Sequence, residues 1–311
     1  MTLHIVTGAD DNYAAGVLVL IASAAFHTKG LRVTVLDNGI SPANRARIDA
    51  LGPHLGIQVA RIEIAADAFS DLPVRRGHLT RSTYLRLLIP DLLPDADRVV
   101  YMDCDMVATD DLSPLATLPL DKAVVAAVPD PSPDERELAS TGVARGDYVN
   151  AGLLVMNLPV WRAENIAGRC LALLSDPARP LRAEDQSALN IAAAGRILKL
   201  PARFNLYADP AAHADPAALP ADPAVIHYVV NLKPWTAPDF LGAVWDAHAA
   251  RIAALMPPRR PVTWKRRVSG WNTRRRVTMG LLTGRRKYRT RLAVTRALGR
   301  FQRAYLARLA A

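Results

Sequence analysis

Asp103 and Asp105 stand one residue apart at the end of the apolar run Val99–Val100–Tyr101–Met102, and apolar residues resume at Met106 and Val107. An unpaired carboxylate is costly to bury. The pair therefore either marks a strand's polar end entering a turn or faces a crevice, where two hard oxygen donors bind a divalent cation. Further chemistry-bearing residues are Asp10 and Asn12 after an N-terminal apolar run, Arg86, Asn150 ahead of Ala151–Gly152, the Asp185–Gln186 pair, His227 and Lys233. Each alone has a plain structural reading. His227 in the run Ala224–Tyr228 reads as a satisfied core histidine, Asp185–Gln186 as a helix cap, Asn150 as the shaper of a bulge, and Lys233 as a surface lysine over Trp235. Their joint occurrence at the ends of elements is what points to a site.

Those ends belong to a regular rhythm. Leu3–Thr7 predicts a strand, followed by a Gly8–Asn12 loop and a helix from about Tyr13 to Phe26, capped by Asp11 or Asn12. Leu31–Leu36 predicts a second strand, Ser41–Pro42 the N-cap and first turn of a helix, and Ile57–Ile64 a third strand. This β-α-β-α-β alternation implies a parallel sheet covered by helices, with ligands beyond the strands' carboxyl ends. The Asp10–Asn12 loop and the Asp103/Asp105 end then share one rim. Downstream, the pattern predicts a helix from about Thr80 to Ile89 stopped by Pro90, a strand at Ala123–Val128 and a mobile loop over 131–147. It continues with a strand at Tyr148–Asn157, a helix over Trp161–Leu174, the stretch Ala183–Ser187 leading into a helix that ends near Gly195, and a last strand at Ala224–Tyr228.

Composition bounds the class. At 311 residues, half of them hydrophobic, the chain can bury a sizeable core as one large domain with an appendage. Cys104 and Cys170 are too few for a disulfide framework and lack zinc spacing, which points to a reducing cytoplasm. A strand beginning at Leu3 leaves no room for a signal peptide. The uncharged stretch from Tyr13 to Thr28 has an apolar centre of about a dozen residues, short of the roughly 20 that span a bilayer; a buried core helix is expected there. The net charge of +10 is unevenly placed. Residues 257–311 hold 17 of the 39 Lys/Arg and none of the 29 Asp/Glu, which leaves 22 basic against 29 acidic residues before them. Two differently charged parts, 1–256 and 257–311, meet at Pro257–Pro258.

Six stretches, in order, resemble glycosyltransferase family 8, and within it the bacterial lipopolysaccharide galactosyltransferase type. They are Ala9–Asp10–Asp11–Asn12–Tyr13–Ala14, Thr83–Tyr84–Leu85–Arg86–Leu87, Val100–Tyr101–Met102–Asp103–Cys104–Asp105, Asn150–Ala151–Gly152–Leu153–Leu154, Asp185–Gln186, and His227–Tyr228 followed by Lys233–Pro234–Trp235. The likeness runs from Ile5 to about Trp235. It implies a GT-A fold (a Rossmann-like nucleotide-diphospho-sugar transferase), a UDP-hexose donor, Mn²⁺ with Mg²⁺ as the alternative, and retention at the anomeric carbon. By this resemblance Asp103, Asp105 and His227 are the metal ligands, and two carboxylates with an imidazole suit Mn²⁺ better than Ca²⁺. Ala9, Asp10 and Asn12 resemble the uracil-reading loop and Lys233 the diphosphate contact. Arg86, Asp103, Asn150, Asp185 and Gln186 match positions that hold the donor sugar, and His78 and Asp130 match acceptor-side positions. Catalysis falls on Gln186 and Asp185. An amide oxygen is weakly basic, so the acceptor hydroxyl is expected to attack on the face the diphosphate leaves, with Gln186 stabilising the cation and Asp185 orienting the sugar. The chain departs from the family at Val230, where a glycine is usual, and over 131–147, which shows little resemblance.

Charge alone allows residues 257–311 to be a solvated tail or a nucleic-acid-binding arm. Spacing favours an interfacial helix. Val294, Leu298, Phe301, Tyr305 and Leu309 share one helical face, Arg296, Arg300 and Arg303 the other, and Trp264, Trp271 and Tyr288 precede them. That arrangement suits an anionic membrane surface, ahead of packing on the catalytic domain or a partner; nucleic acid is the least favoured. The combined expectation is an α/β enzyme of the cytoplasm, peripherally attached to the inner face of the cell membrane. It would move galactose or glucose from a UDP-sugar to a hydroxyl of a lipid-linked glycan such as lipopolysaccharide core. The rival from another class is a UDP-sugar-binding or scaffold protein without turnover; the intact Asp103, Asp105, His227, Asp185 and Gln186 speak against it.

Overall fold

Strand β1 (Leu3–Ala9) is buried at every position, because strands flank it and helices cover both sheet faces. In the computed structural model, which describes residues 2–65, 68–69, 81–179, 181–229, 233–236, 240–259 and 264–311, the expected rhythm holds at the start of the chain. β2 (Leu31–Asp37) pairs parallel with β1, β3 (Gln58–Glu63) parallel with β2, and β4 (Arg98–Met102) parallel with β1 on its other side. The later strands are β5 (Met106–Ala108), β6 (Val125–Pro129), β7 (Val149–Asn157), β8 (Ile197–Lys199), β9 (Leu206–Tyr207) and β10 (Val225–His227). A seven-stranded sheet has the order β3-β2-β1-β4-β7-β6-β8, and a small sheet the order β5-β10-β9. The large sheet is mixed rather than wholly parallel: β7 runs antiparallel to both β4 and β6. Its first residues therefore start at the rim where β4 ends, with Leu153 opposite Met102.

The helix Ala14–His27 is the expected core helix, buried from Ala14 through Ala24. Gly16 lets it pass the Cys104 carbonyl and the Trp235 ring, which a Cβ there would strike. Ser41 caps Pro42–Leu55 by accepting the Asn44 N–H at 3.4 Å. Three local readings change. The stretch Arg81–Leu88 is 3₁₀-helical, and Pro90 lies in the first turn of a short helix Ile89–Leu92 instead of stopping one; proline there forfeits no intrahelical bond. The Trp161–Leu174 pattern divides into helices Leu158–Ala163 and Ile166–Ser175, separated at Asn165 with φ +48°. Within 131–147 the segment Glu135–Thr141 is helical, capped by Asp134 and anchored by the buried Glu137.

The basic segment forms two helices. Arg286–Ala310 packs on helix Gly242–Arg251 and on the turns Pro210–Ala212 and Pro216–Ala218. Val294, Leu298 and Tyr305, expected to face lipid, are instead buried in the core, with Phe301 and Leu309 packed beside them. Apolar burial is non-directional, and the body of the protein covers this stripe. The Tyr305 hydroxyl lies 2.7 Å from both His27 Nε2 and His248 Nε2. Burial pushes both imidazoles down, His248 to about 3, so the hydroxyl sits between neutral rings. Helix Trp264–Leu282 packs Gly280 against the Tyr288 ring and exposes Trp264, Trp271, Met279 and Leu282.

Candidate active site

Asp103 directly follows the carboxyl end of β4, and Asp105 directly precedes β5. Because β10 pairs antiparallel with β5, His227 comes opposite Met106 and so beside Asp105. One ligand atom from each of Asp103, Asp105 and His227 lies within 4.8 Å of the others. His227 Nε2 is 3.2 Å from Asp105 Oδ1 and 3.8 Å from Asp103 Oδ2. Asp105 Oδ1 is buried and accepts no hydrogen bond among the described residues, while His227 Nδ1 is engaged at 2.9 Å by Asn205 Oδ1. An orphaned carboxylate oxygen, a second carboxylate and an imidazole nitrogen converging in this way fit a hard-to-borderline divalent cation. Lys233 Nζ donates to Asp105 Oδ2 at 2.6 Å and to the Tyr228 carbonyl at 2.7 Å. Burial works against ionising Asp105, but Lys233 and His227 outweigh it and hold its carboxyl below the usual range. Gly152 on β7 faces this cluster: a Cβ there would stand 2.5 Å from His227 Cε1.

Arg86 links the cluster to a second group. Its Nη2 is 3.1 Å from Asp103 Oδ1, its Nε 2.8 Å from Asp185 Oδ2, and its Nη1 donates to the Ala151 carbonyl. Tyr101, two strand positions before Asp103 and on the same sheet face, donates to Asp103 Oδ1 at 2.8 Å and lies under the guanidinium. Burial raises the Asp185 carboxyl to about 6 even with Arg86 beside it. Asp185 and Gln186 occupy the first turn of helix Glu184–Ala192. The Glu137 carboxylate accepts the N–H groups of Arg182 and Ala183 at 3.0 and 3.2 Å just ahead of that helix, where negative charge is favoured. Asn190, one turn further on, bonds both the N–H and the C=O of Val149 and so clamps the helix to β7. Gln186 is fully engaged: Oε1 accepts from Asn150 Nδ2 (2.8 Å) and the Ala151 N–H (3.2 Å), and Nε2 donates to Asp130 and Tyr148.

The remaining expected residues are distributed less evenly. Ala9 and Asp10 line the same cleft of about 410 Å³ as both groups above, a volume typical of small-molecule sites. Asp10 also caps its own turn by accepting the Asn12 N–H at 2.9 Å, whereas Asp11, expected as a cap, bonds Ser41 and Asn44. Asn12 is exposed and lies in an adjoining groove, its carbonyl accepting the Trp235 indole N–H at 3.2 Å. Asp130 lines the main cleft beside Gln186, with its carboxyl raised by burial. His78 and Val230 lie outside the described residues. The sequence reading missed Tyr101, Glu137, Tyr148, Asn190 and Asn205. A buried asparagine inside the apolar stretch Phe204–Tyr207 was the one signal available for Asn205.

Residues 4–238 match the profile described as "Glycosyl transferase family 8". Over 248 residues the chain is 29% identical to the lipopolysaccharide 1,3-galactosyltransferase of Salmonella typhimurium, covering 75% of this chain and 72% of that protein. Over 250 residues it is 28% identical to general stress protein A of Bacillus subtilis, covering 75% and 87%. Among solved structures, the galactosyltransferase LgtC in complex with donor and acceptor sugar analogues superposes with a TM-score of 0.71 at 29% identity, over 85% of this chain and 99% of that one.

Proposed function

The chain belongs to glycosyl transferase family 8 and shares the mixed α/β, GT-A-like architecture of LgtC; from that premise we propose that it is a retaining, Mn²⁺-dependent hexosyltransferase. It moves galactose or glucose from a UDP-sugar to a hydroxyl of a lipid-linked glycan such as lipopolysaccharide core. The observation that carries this reading is the convergence of Asp103, Asp105 and His227 with the Arg86–Asp185 pair and Gln186 in one cleft. The name of the Salmonella relative supports the acceptor class.

Asp103, Asp105 and His227 would hold the cation, which when bound supplies Lewis-acid neutralisation of charge on a leaving diphosphate. Lys233, beside Asp105, adds a fixed positive charge in the same region. Asp10, which lines the same cleft, offers a carboxylate that can accept an imide N–H and so favours uracil over cytosine. Asp185 accepts a sugar hydroxyl while Arg86 fixes its position. Both acceptor positions of the Gln186 amide oxygen are taken by Asn150 and Ala151. The side chain therefore acts as an oriented dipole near the developing cation, not as a nucleophile, which supports attack by the acceptor hydroxyl on the leaving face.

Peripheral attachment to the cytoplasmic face of the membrane is part of the same proposal, carried by helix Trp264–Leu282. At about 100° per residue, Trp264, Trp271 and Leu282 fall within about 20° of one another. All three are exposed, as are Arg275 and Arg276 on the same helix. No helix among the described residues is long and apolar enough to cross a membrane.

A panel of UDP-sugars with Mn²⁺, scoring donor hydrolysis without acceptor, tests the activity. UDP-galactose or UDP-glucose should be consumed, EDTA should stop it, and Mn²⁺ should restore it best. UDP binding without turnover would support the scaffold reading, and an inverted anomeric linkage in the transfer product, seen by NMR, would refute retention.

A further inference from the structure

We propose that Asn205 is a positioning residue that fixes the tautomer of His227 and ties the candidate metal centre to Gln186 through a one-directional chain of amides. His227 Nδ1 meets Asn205 Oδ1 at 2.9 Å, Asn205 Nδ2 meets Asn150 Oδ1 at 2.7 Å, and Asn150 Nδ2 meets Gln186 Oε1 at 2.8 Å. The two ends of a carboxamide have nearly the same shape, so three in a row could run in either polarity. A group that can only donate decides between them. Two such groups touch this chain: the Gly152 N–H meets Asn150 at 3.0 Å and the Ala151 N–H meets Gln186 at 3.2 Å. A backbone N–H cannot accept, so the atoms facing it are oxygens.

The rest follows by elimination. With Asn150 Oδ1 committed to Gly152, Asn150 presents its nitrogen to Gln186. Asn205 must then offer its own nitrogen to Asn150 Oδ1, which leaves its oxygen for His227. A carboxamide oxygen only accepts, so the imidazole carries its proton on Nδ1. In the neutral ring Nε2 is then left with a bare lone pair facing Asp105 and Asp103, the tautomer a metal ligand needs. Asn205 is itself buried and stands immediately before β9, whose parallel pairing with β10 sets Tyr207 opposite His227. The position of a ligand on one small sheet is thus registered, through Asn150 on β7, to the orientation of Gln186 on a helix beyond it.

The inference deepens the metal reading, and its test separates the two. In ¹⁵N-labelled, metal-free protein at alkaline pH, histidine side-chain correlation spectra, assigned against His227→Gln, should show His227 protonated at Nδ1. In Asn205→Ala the ring should shift to a mixture or to the Nε2–H form. Affinity for Mn²⁺ alone, followed by the EPR signal of the free ion, should fall about 10- to 100-fold, as for other groups that orient a ligand. Asn205→Asp divides the two functions, because a carboxylate can still accept from Nδ1–H but has nothing to donate to Asn150. It should keep the tautomer and Mn²⁺ affinity while lowering kcat for donor hydrolysis with little change in KM. It also carries the test if the alanine variant fails to fold. Finding His227 protonated at Nε2 in the wild type, or tautomer and Mn²⁺ affinity both unchanged in Asn205→Ala, overturns the assignment. If the wild type binds no Mn²⁺ yet its tautomer responds to Asn205→Ala, the metal reading falls and the role of Asn205 stands.

Discussion

Asp185 is under two opposed demands. Burial raises its carboxyl to about 6, yet its ion pair with Arg86, and its proposed role of accepting a sugar hydroxyl, call for the ionised form. The raised value means that folding disfavours the carboxylate. The cost is absent below the unfolded-state value of about 4, grows as pH rises through about 6 and is constant above. Activity runs the other way. Donor-hydrolysis kcat/KM should fall as pH drops through about 6, approaching tenfold per pH unit below it. Asp185→Asn should abolish this limb and lower the rate at neutral pH at least a hundredfold, because buried Arg86 loses a charge partner. A pH–rate profile of both proteins checks this, and an unchanged acid limb in the variant would reassign it to another group. At this scale the sequence was informative where residue type alone restricts chemistry: two aspartates one residue apart, an Asp–Gln pair, a histidine among apolar neighbours. Tyr101, Tyr148 and Asn205 were not legible. A phenol or an amide gains its role only from the atom it meets across strands, and that pairing is a property of register.

Between elements, the reversed direction of β7 is what assembles the cleft. An apolar strand pattern reads the same in both directions, so sequence placed the strand but not its orientation. Antiparallel pairing with β4 sets Asn150 and Gly152 at the carboxyl rim and Gly152 against the His227 ring. A methyl group at 152 would stand 2.5 Å from His227 Cε1 and 2.8 Å from Met106 Cε. Gly152→Ala should therefore weaken Mn²⁺ binding and turnover together, and cost about 1–3 kcal/mol of folding stability from overpacking. Urea unfolding and Mn²⁺ titration measure the two effects; no change in either would contradict this packing. The core helix Ala14–His27 and the Ser41–Pro42 start were readable because hydrophobic continuity and capping are local. The break at Asn165 and the helix anchored by Glu137 were not, since tertiary contacts set both.

For the molecule as a whole, the two basic helices differ in what covers them: Arg286–Ala310 packs on the body, while Trp264–Leu282 leaves Trp264, Trp271 and Leu282 exposed. Periodicity showed that the Val294–Leu309 stripe is apolar; it could not show what covers it, and the answer is the body of the protein. The proposed membrane attachment accordingly rests on the exposed Trp264, Trp271 and Leu282. Replacing all three by serine should sharply reduce co-sedimentation with anionic vesicles and leave UDP-sugar hydrolysis intact. Deleting residues 286–311 should instead lower the melting temperature, by uncovering core surface at roughly 25 cal/mol per Å². Equal pelleting of the triple variant and the wild type would remove this helix as the anchor. The Tyr305 hydroxyl, finally, joins His27 across 278 residues of chain. At ribosomal speeds of about 5–20 residues per second, that is roughly a quarter of a minute to a minute between the making of one partner and the other. Through that interval His27, at the end of an early and strongly apolar helix, is without its hydroxyl partner. The pairing can form only after the segment carrying Tyr305 has been translated.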